Sequence, residues 1–312
     1  MKAIARFLPG DAIIRLQCVI IIVVAVVFSL LLGGRFFSIA NFQSISSQLP
    51  ILGMLALGMG ITMLTGGVYS ANACSLAMAA VIVSHPDNPL FVVLALLAGV
   101  LVAVAIGTLN GALIAWVGVS PILATLGTMT LISGLNILLS NGTVISGFPA
   151  VIQFFGNAMV LGIPVALLLF ILVAVLLWVL LEHTTLGRSL YLVGSNEQAT
   201  RYSGVNTVRV QISVYVISAL LGWVAAILMM AKFNSAKAGY GESYLLVTIL
   251  ASVLGGINPD GGFGRVIGLV LALVVLQMLE SGFNLLGISS YLTMALWGAV
   301  LILFIALQNR KA

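Results

Sequence analysis

An all-α polytopic membrane protein is the fold class this sequence predicts, and three observations predict it. Of 312 residues, 62% are hydrophobic and 6% charged, where soluble domains average about 25% charged. Apolar runs of membrane-crossing character recur along the chain, beginning near Leu16, Gln48, Ser70, Leu90, Ile122, Ile163, Gln211, Tyr244, Val266 and Ser289. They give about ten transmembrane helices, some short or glycine-broken. The basic residues also sort by side. With the N-terminus inside, Lys2, Arg6, Arg15, Arg188, Arg201, Arg209, Arg265, Arg310 and Lys311 face the cytoplasm, and only Arg35, Lys232 and Lys237 lie outside, as the positive-inside rule requires. Omitting one short run would put the 183–210 segment and the C-terminus on opposite sides and split these residues more evenly. Both termini are therefore expected in the cytoplasm, and residues 1–312 form a single transmembrane domain.

In chain order, the basic N-terminus before residues 16–32 has the polarity of a signal peptide, but no A-x-A site follows, so the run is expected to be a retained first span. Cys18 and Cys74 fall inside apolar runs and are expected to pack rather than to pair or bind metal. Pro50, Gly53, Gly58 and Gly60 thin the second span, which breaks at Thr65-Gly66-Gly67. The third run, residues 70–84, is short enough to be tilted, re-entrant or buried behind its neighbours. The fourth is interrupted by Asn110 inside Gly107-x-x-x-Gly111, and Gly264-x-x-x-Gly268 repeats that spacing, which lets helices approach closely. Residues 141–162, with Phe148, Pro149, Phe154 and Phe155, form the longest outer segment and a structured external surface.

Residues 183–210 are the one long polar interruption of the second half. Ser195-Asn196-Glu197-Gln198 has the S-x-x-Q spacing of a capping box, and Gly204 supplies a stop. A short capped helix of about two turns is expected there, offered as a docking surface. Glu197 and Arg201, four apart, share one face and can pair with each other or with a partner. Downstream, residues 250–268 form a second glycine-broken region, a distant echo of the first.

Several chemistries find no support. The dipeptide Gly-Lys never occurs, so this chain carries no phosphate-binding loop and its energy must come from elsewhere. His85 and His183 lack further ligands at metal spacing, no nucleophile is set beside a base, and the scattered cations make no nucleic-acid patch. No cofactor or metal is expected, and the chain is read as non-catalytic. Among the acidic residues, Glu280 is the one that falls well within a run, with Gln277 and Asn284 a turn away on either side. With Asn72 and Asn110 these make candidate translocation-path residues, neutral donors and acceptors that suit a hydroxyl-rich solute better than an ion.

The residues resemble a family over nearly the whole length. Leu57-Gly58-Met59 leads to Thr65-Gly66-Gly67, then Leu109-Asn110-Gly111 and Ala124-Thr125-Leu126-Gly127-Thr128-Met129. Later come Gly187-Arg188, Gly194-Ser195-Asn196-Glu197, Ser203-Gly204-Val205, Val253-Leu254-Gly255-Gly256, Gly261-Gly262-x-Gly264 and Gly282-Phe283-Asn284-Leu285-Leu286-Gly287. In order and spacing the chain resembles the ribose, xylose and arabinose type of ABC-transporter permease, a bacterial inner-membrane subunit. The resemblance implies that Gly194, Ser195, Asn196, Glu197, Arg201 and Gly204 couple to a separate ABC ATPase. It also implies that a periplasmic solute-binding protein delivers the solute and that a second permease copy or a sister permease completes the pore. One departure stands at Tyr69, where family members commonly carry Asp. A self-sufficient secondary transporter and a membrane scaffold without transport are the alternatives; the former needs more membrane-embedded charge and the latter has no need of glycine-broken spans.

Overall fold

The computed structural model describes residues 10–62, 66–84, 88–258 and 261–309, with backbone alone at 10–12, 66–69 and 303–309. Thr65, the His85-Pro86-Asp87 corner and the terminal basic residues Lys2, Arg6, Arg310 and Lys311 lie outside the described residues, as does the Tyr69 side chain. In chain order the helices are α1 (Gly10–Leu32), α2 (Ile39–Thr62), α3 (Gly66–Ser84), α4 (Pro89–Ala115), α5 (Pro121–Ser140), α6 (Ala150–Asn157), α7 (Val165–His183), α8 (Thr185–Ser195), α9 (Glu197–Tyr202), α10 (Thr207–Phe233), α11 (Glu242–Leu254), α12 (Val266–Leu285) and α13 (Ser290–Asn309). Among the described residues, α1, α2, α4, α5, α7, α10 and α12 are the seven long and apolar enough to cross a membrane; α3, α11 and α13 contribute shorter apolar stretches.

Local chemistry sets the ends. Pro89 and Pro121 open α4 and α5 at the first turn, where a missing N–H costs nothing, and the Asn88 side chain accepts the Leu90 N–H at 3.0 Å. Asn141 and Asn234 close α5 and α10 in the left-handed conformation, with φ of 50° and 49°. Two starts differ from the hydropathy reading. Helix α2 begins at Ile39, well before Gln48, because its outer end is helical despite its serines. There Ser47 accepts a hydrogen bond from the Lys232 ammonium at 3.2 Å. Helix α10 begins at Thr207 rather than Gln211, with Asn206 accepting the Arg209 N–H at 3.0 Å.

The core forms around α2 and α10, each 61% buried along its span, while α1, only 17% buried, leaves most of its surface for lipid. Helix α10 packs on α2, α3 and α4, and α12 packs on α1 and α2. The Gly107-x-x-x-Gly111 stripe serves that packing: a Cβ at either glycine would lie 2.6 Å from a Cα of α10, that of Val216 or Ile212. Close packing is also found at Gly264-x-x-x-Gly268, of a different kind. Gly264 precedes α12 with φ +154°, and Gly268 backs onto Gly255, so the pair closes a turn rather than a helix–helix seam. Cys74 is buried and Cys18 is exposed on α1.

Residues 141–162, expected to form an outer surface, fold into short strands and one helix. Strand β1 (Ile145–Ser146) pairs antiparallel with β4 (Ser235–Ala236), and β2 (Met159–Val160) with β3 (Ile163–Pro164). Helix α6 lies between them, burying Ile152 while Phe154 stays exposed.

Candidate functional site

Helix α11 is the element that does not fit a simple span. Its 13 residues rise only about 20 Å, against a hydrocarbon core of about 30 Å. The missing length is supplied by the preceding chain. After Asn234 the backbone is extended through β4 and then turns at 238–241, with Ser235, Ala236 and Ala238 all buried. There the Gly241 N–H donates to Oδ1 of Asn72 on α3 at 2.7 Å, and Ser133 of α5 donates to the Glu242 carboxylate at 3.4 Å.

These partners fix the depth. Two residues beyond Asn72, the Cys74 thiol meets the Gly99 carbonyl at 3.3 Å, and Gly99 lies about 15 Å along α4 from its outer end. Ser133 lies about 10 Å along α5 from the outer end at Ser140. Helix α11 therefore starts beside the interior of the apolar helices α4 and α5, about 10 to 15 Å along them from the nearer end. Irregular backbone is tolerated at such depth where protein covers it or where it lines a cavity. The Asn72–Gly241 bond also joins α3, which follows the first glycine-broken region, to the helix that leads into the second.

The candidate path residues fall into separate places. Asn72 is buried at this junction. Asn110, also buried, accepts a hydrogen bond from the Thr128 hydroxyl at 2.7 Å, tying α4 to α5. Gln277, on α12, donates to Gln48 of α2 at 3.4 Å. Glu280 is half-buried one turn further along, and Asn284 is exposed at the end of that helix. Gln277, Glu280 and Asn284 thus share α12, whereas Asn110 serves a different helix pair.

The sequence reading missed Glu242. Glu280, expected to be the acidic residue well within a run, is joined among the described residues by Glu242, which meets Ser133 in the middle of α5. The apolar run begins at Tyr244, which put Glu242 in an outer loop. The available signal was Gly239-x-Gly241 immediately before it, a glycine pair marking an irregular entry into a short helix.

On the opposite side, residues 183–210 form two helices rather than one. Thr184 caps α8, its hydroxyl accepting the Gly187 N–H at 3.3 Å. The expected S-x-x-Q box is corrected: Asn196 caps α9, its side chain accepting the Ala199 N–H at 3.0 Å. Ser195 is still within α8 and its hydroxyl donates to the Tyr191 carbonyl at 2.8 Å. Asn196 alone has the extended φ of −163° that a cap requires. Gly204, at φ +85°, ends the unit as expected, with its N–H on the Arg201 carbonyl at 3.1 Å. Glu197 and Arg201 are both exposed.

This unit is fastened to the turn between α11 and α12. A Cβ on Gly194 would meet the Gly262 nitrogen at 2.5 Å, and one on Gly262 would meet the Ser195 hydroxyl at 2.6 Å. The Tyr191 hydroxyl donates to the Gly264 carbonyl at 2.8 Å. Burial, then the nearby Glu182 charge, pushes the Tyr191 phenol up, while Arg265 pulls it down. A cavity of about 410 Å³ opens among Tyr191, Gly194, Glu197 and Arg265. A second, of about 700 Å³, lies between Trp116, Arg201 and Arg209. The first cavity borders α8 and α9, the second borders α9, and α8 touches the turn that follows α11.

A family model described as "Branched-chain amino acid transport system / permease component" matches residues 41–305. The ribose import permease protein of Bacillus subtilis is 35% identical over 93% of this chain and 91% of its own length. The ribose import permease protein of Escherichia coli K12 is 36% identical, covering 94% and 92%. The autoinducer 2 import system permease protein of Yersinia enterocolitica is 33% identical, covering 83% and 81%. No solved structure matches the chain.

Proposed function

We propose, from the premise that this chain belongs to the branched-chain amino acid transport system / permease component family, that it is the membrane permease of an ATP-driven importer of a small hydroxyl-rich solute of the sugar class. The observation that carries the reading is the likeness to two ribose import permeases along more than nine-tenths of this chain and of each of those two. A permease of this kind needs three things: a path, a place for an ATPase to push, and a link between them.

The geometry supports each. The path runs past the turn at Gly241 and the polar groups Asn72, Gln277 and Glu280, with Asn110 bracing α4 on α5 and Asn284 at the outer mouth. The ATPase docks on α8 and α9 through Gly194, Ser195, Asn196, Glu197, Arg201 and Gly204, and hydrolysis takes place in that partner. The glycine contacts between α8 and the turn before α12 carry movement inward. A periplasmic binding protein delivers solute to the β1/β4 and α6 surface, and a second permease copy or sister permease completes the pore. The chain sits in the bacterial inner membrane with both termini in the cytoplasm.

Whole-cell uptake tests this. Cells expressing the chain with its co-encoded ATPase and binding protein accumulate radiolabelled D-ribose or a related pentose, and omission of the ATPase abolishes accumulation. Accumulation that persists without the ATPase and collapses with the proton gradient would establish the secondary-transporter alternative instead.

A further inference from the structure

We propose that Glu242, together with Ser133, Asn72 and Asn136, forms a mid-membrane subsite that contacts the solute's hydroxyl groups and selects for their pattern; the assignment rests on the permease reading above. Glu242 is exposed on the isolated chain yet bonds to the middle of the apolar helix α5. A carboxylate at that depth is costly against lipid and is found facing water or a polar path. Its position in the first turn of α11 suits a negative charge. A carboxylate offers about four acceptor sites, and the 3.4 Å contact with Ser133 uses one of them.

The second observation is independent of that helix end. The side-chain nitrogens of Asn72 and Asn136 are buried without a hydrogen-bond partner, although these residues are only 2% and 5% exposed. Buried polar groups are paired in the great majority of cases, so each such exception calls for a partner. The Gly241 N–H fixes the Asn72 amide, because only its oxygen can accept, and this leaves the NH₂ at the start of α11 with its donors unspent. Asn136 stands one helical turn beyond Ser133, on the same side of α5, and α5 packs on α3, which carries Asn72. Two amide donors, one hydroxyl and one carboxylate acceptor match adjacent hydroxyls, which donate and accept together. The carboxylate disfavours anionic solutes.

The test uses the full chain with its co-encoded ATPase and binding protein, comparing uptake of D-ribose and 2-deoxy-D-ribose. Capture at low concentration belongs to the binding protein, so the subsite reads in the maximal rate. Glu242→Gln is expected to lower the D-ribose rate by about tenfold, the loss of one charge-assisted hydrogen bond, and to lower the 2-deoxy-D-ribose rate less. Co-purification of the ATPase should stay unchanged. Equal rates and equal discrimination in parent and variant overturn the subsite. A second measurement covers a variant that fails to assemble. Ser133→Cys should react with a membrane-impermeant methanethiosulfonate much faster than Leu131→Cys on the exposed apolar face of α5, and D-ribose should slow it. Labelling no faster than at Leu131 overturns the proposal. A parent strain that accumulates neither sugar overturns the transport reading itself, and the labelling then still decides whether this place is water-lined.

Discussion

At Gly107 a missing side chain is what lets α4 lie against the backbone of α10, since a Cβ there would sit 2.6 Å from the Val216 Cα. Gly127, on α5, has nothing within 4 Å of the same position. The two residues look alike in sequence, and only packing separates them. Gly107→Leu should therefore destabilise the folded chain by about 1 to 3 kcal/mol through overpacking, read as a lower thermal midpoint in detergent, while Gly127→Leu leaves the midpoint near the parental value. Equal midpoints for both would contradict the α4–α10 contact. The same limit on sequence reading applies at Ser195 and Asn196. The S-x-x-Q spacing fits a capping box, but a cap is decided by backbone conformation, and α8 runs through Ser195 and leaves Asn196 as the extended residue. Glu242 was hidden for a related reason. Hydropathy reports where a run of apolar residues begins, whereas depth is set by Asn72 and Ser133, which lie far away in sequence.

Helices α8 and α9 meet at Asn196, and α8 rests against Gly261, Gly262 and Gly264. The short helix and its stop at Gly204 were legible because capping and glycine chemistry are local. Its fastening to Gly261 and Gly262 was not, because close backbone approach between distant glycines leaves no periodic trace. Asn196→Ala removes the cap, at a cost of about 0.5 to 2 kcal/mol to that helix, and Glu197→Ala with Arg201→Ala strips its exposed charges. Both variants should insert normally, since no span depends on these residues, and both should co-purify with less ATPase. Gly262→Val should spare docking but uncouple it, because the new side chain collides with Ser195 in a backbone at φ +78°. Parental ATPase recovery from the Asn196 and double-alanine variants, measured by quantitative co-purification from detergent extracts, would remove α8 and α9 from the coupling role.

For the whole molecule, the class was legible because an apolar chain with 6% charge has one solvent it can fold in. Short apolar helices were also anticipated at α3 and α11, since their glycine boundaries are written in the sequence. What composition could not supply was the path of residues 234–241, which pair with β1, turn at 238–241 and bring the N-terminus of α11 against Asn72 of α3. That path links the β1/β4 pair to the polar groups around Asn72 and Glu242 and, through α11, to the glycine contacts with α8. The central claim is that solute arriving outside and ATP hydrolysis inside are coupled through this chain. Reconstitution in proteoliposomes with the co-encoded ATPase and the sugar-loaded binding protein tests it most directly. ATP hydrolysis should rise on addition of the loaded binding protein and fall to its unstimulated rate with Gly262→Val, with solute accumulating only in the former case. Hydrolysis indifferent to the loaded binding protein, or solute entry without ATP, would contradict it.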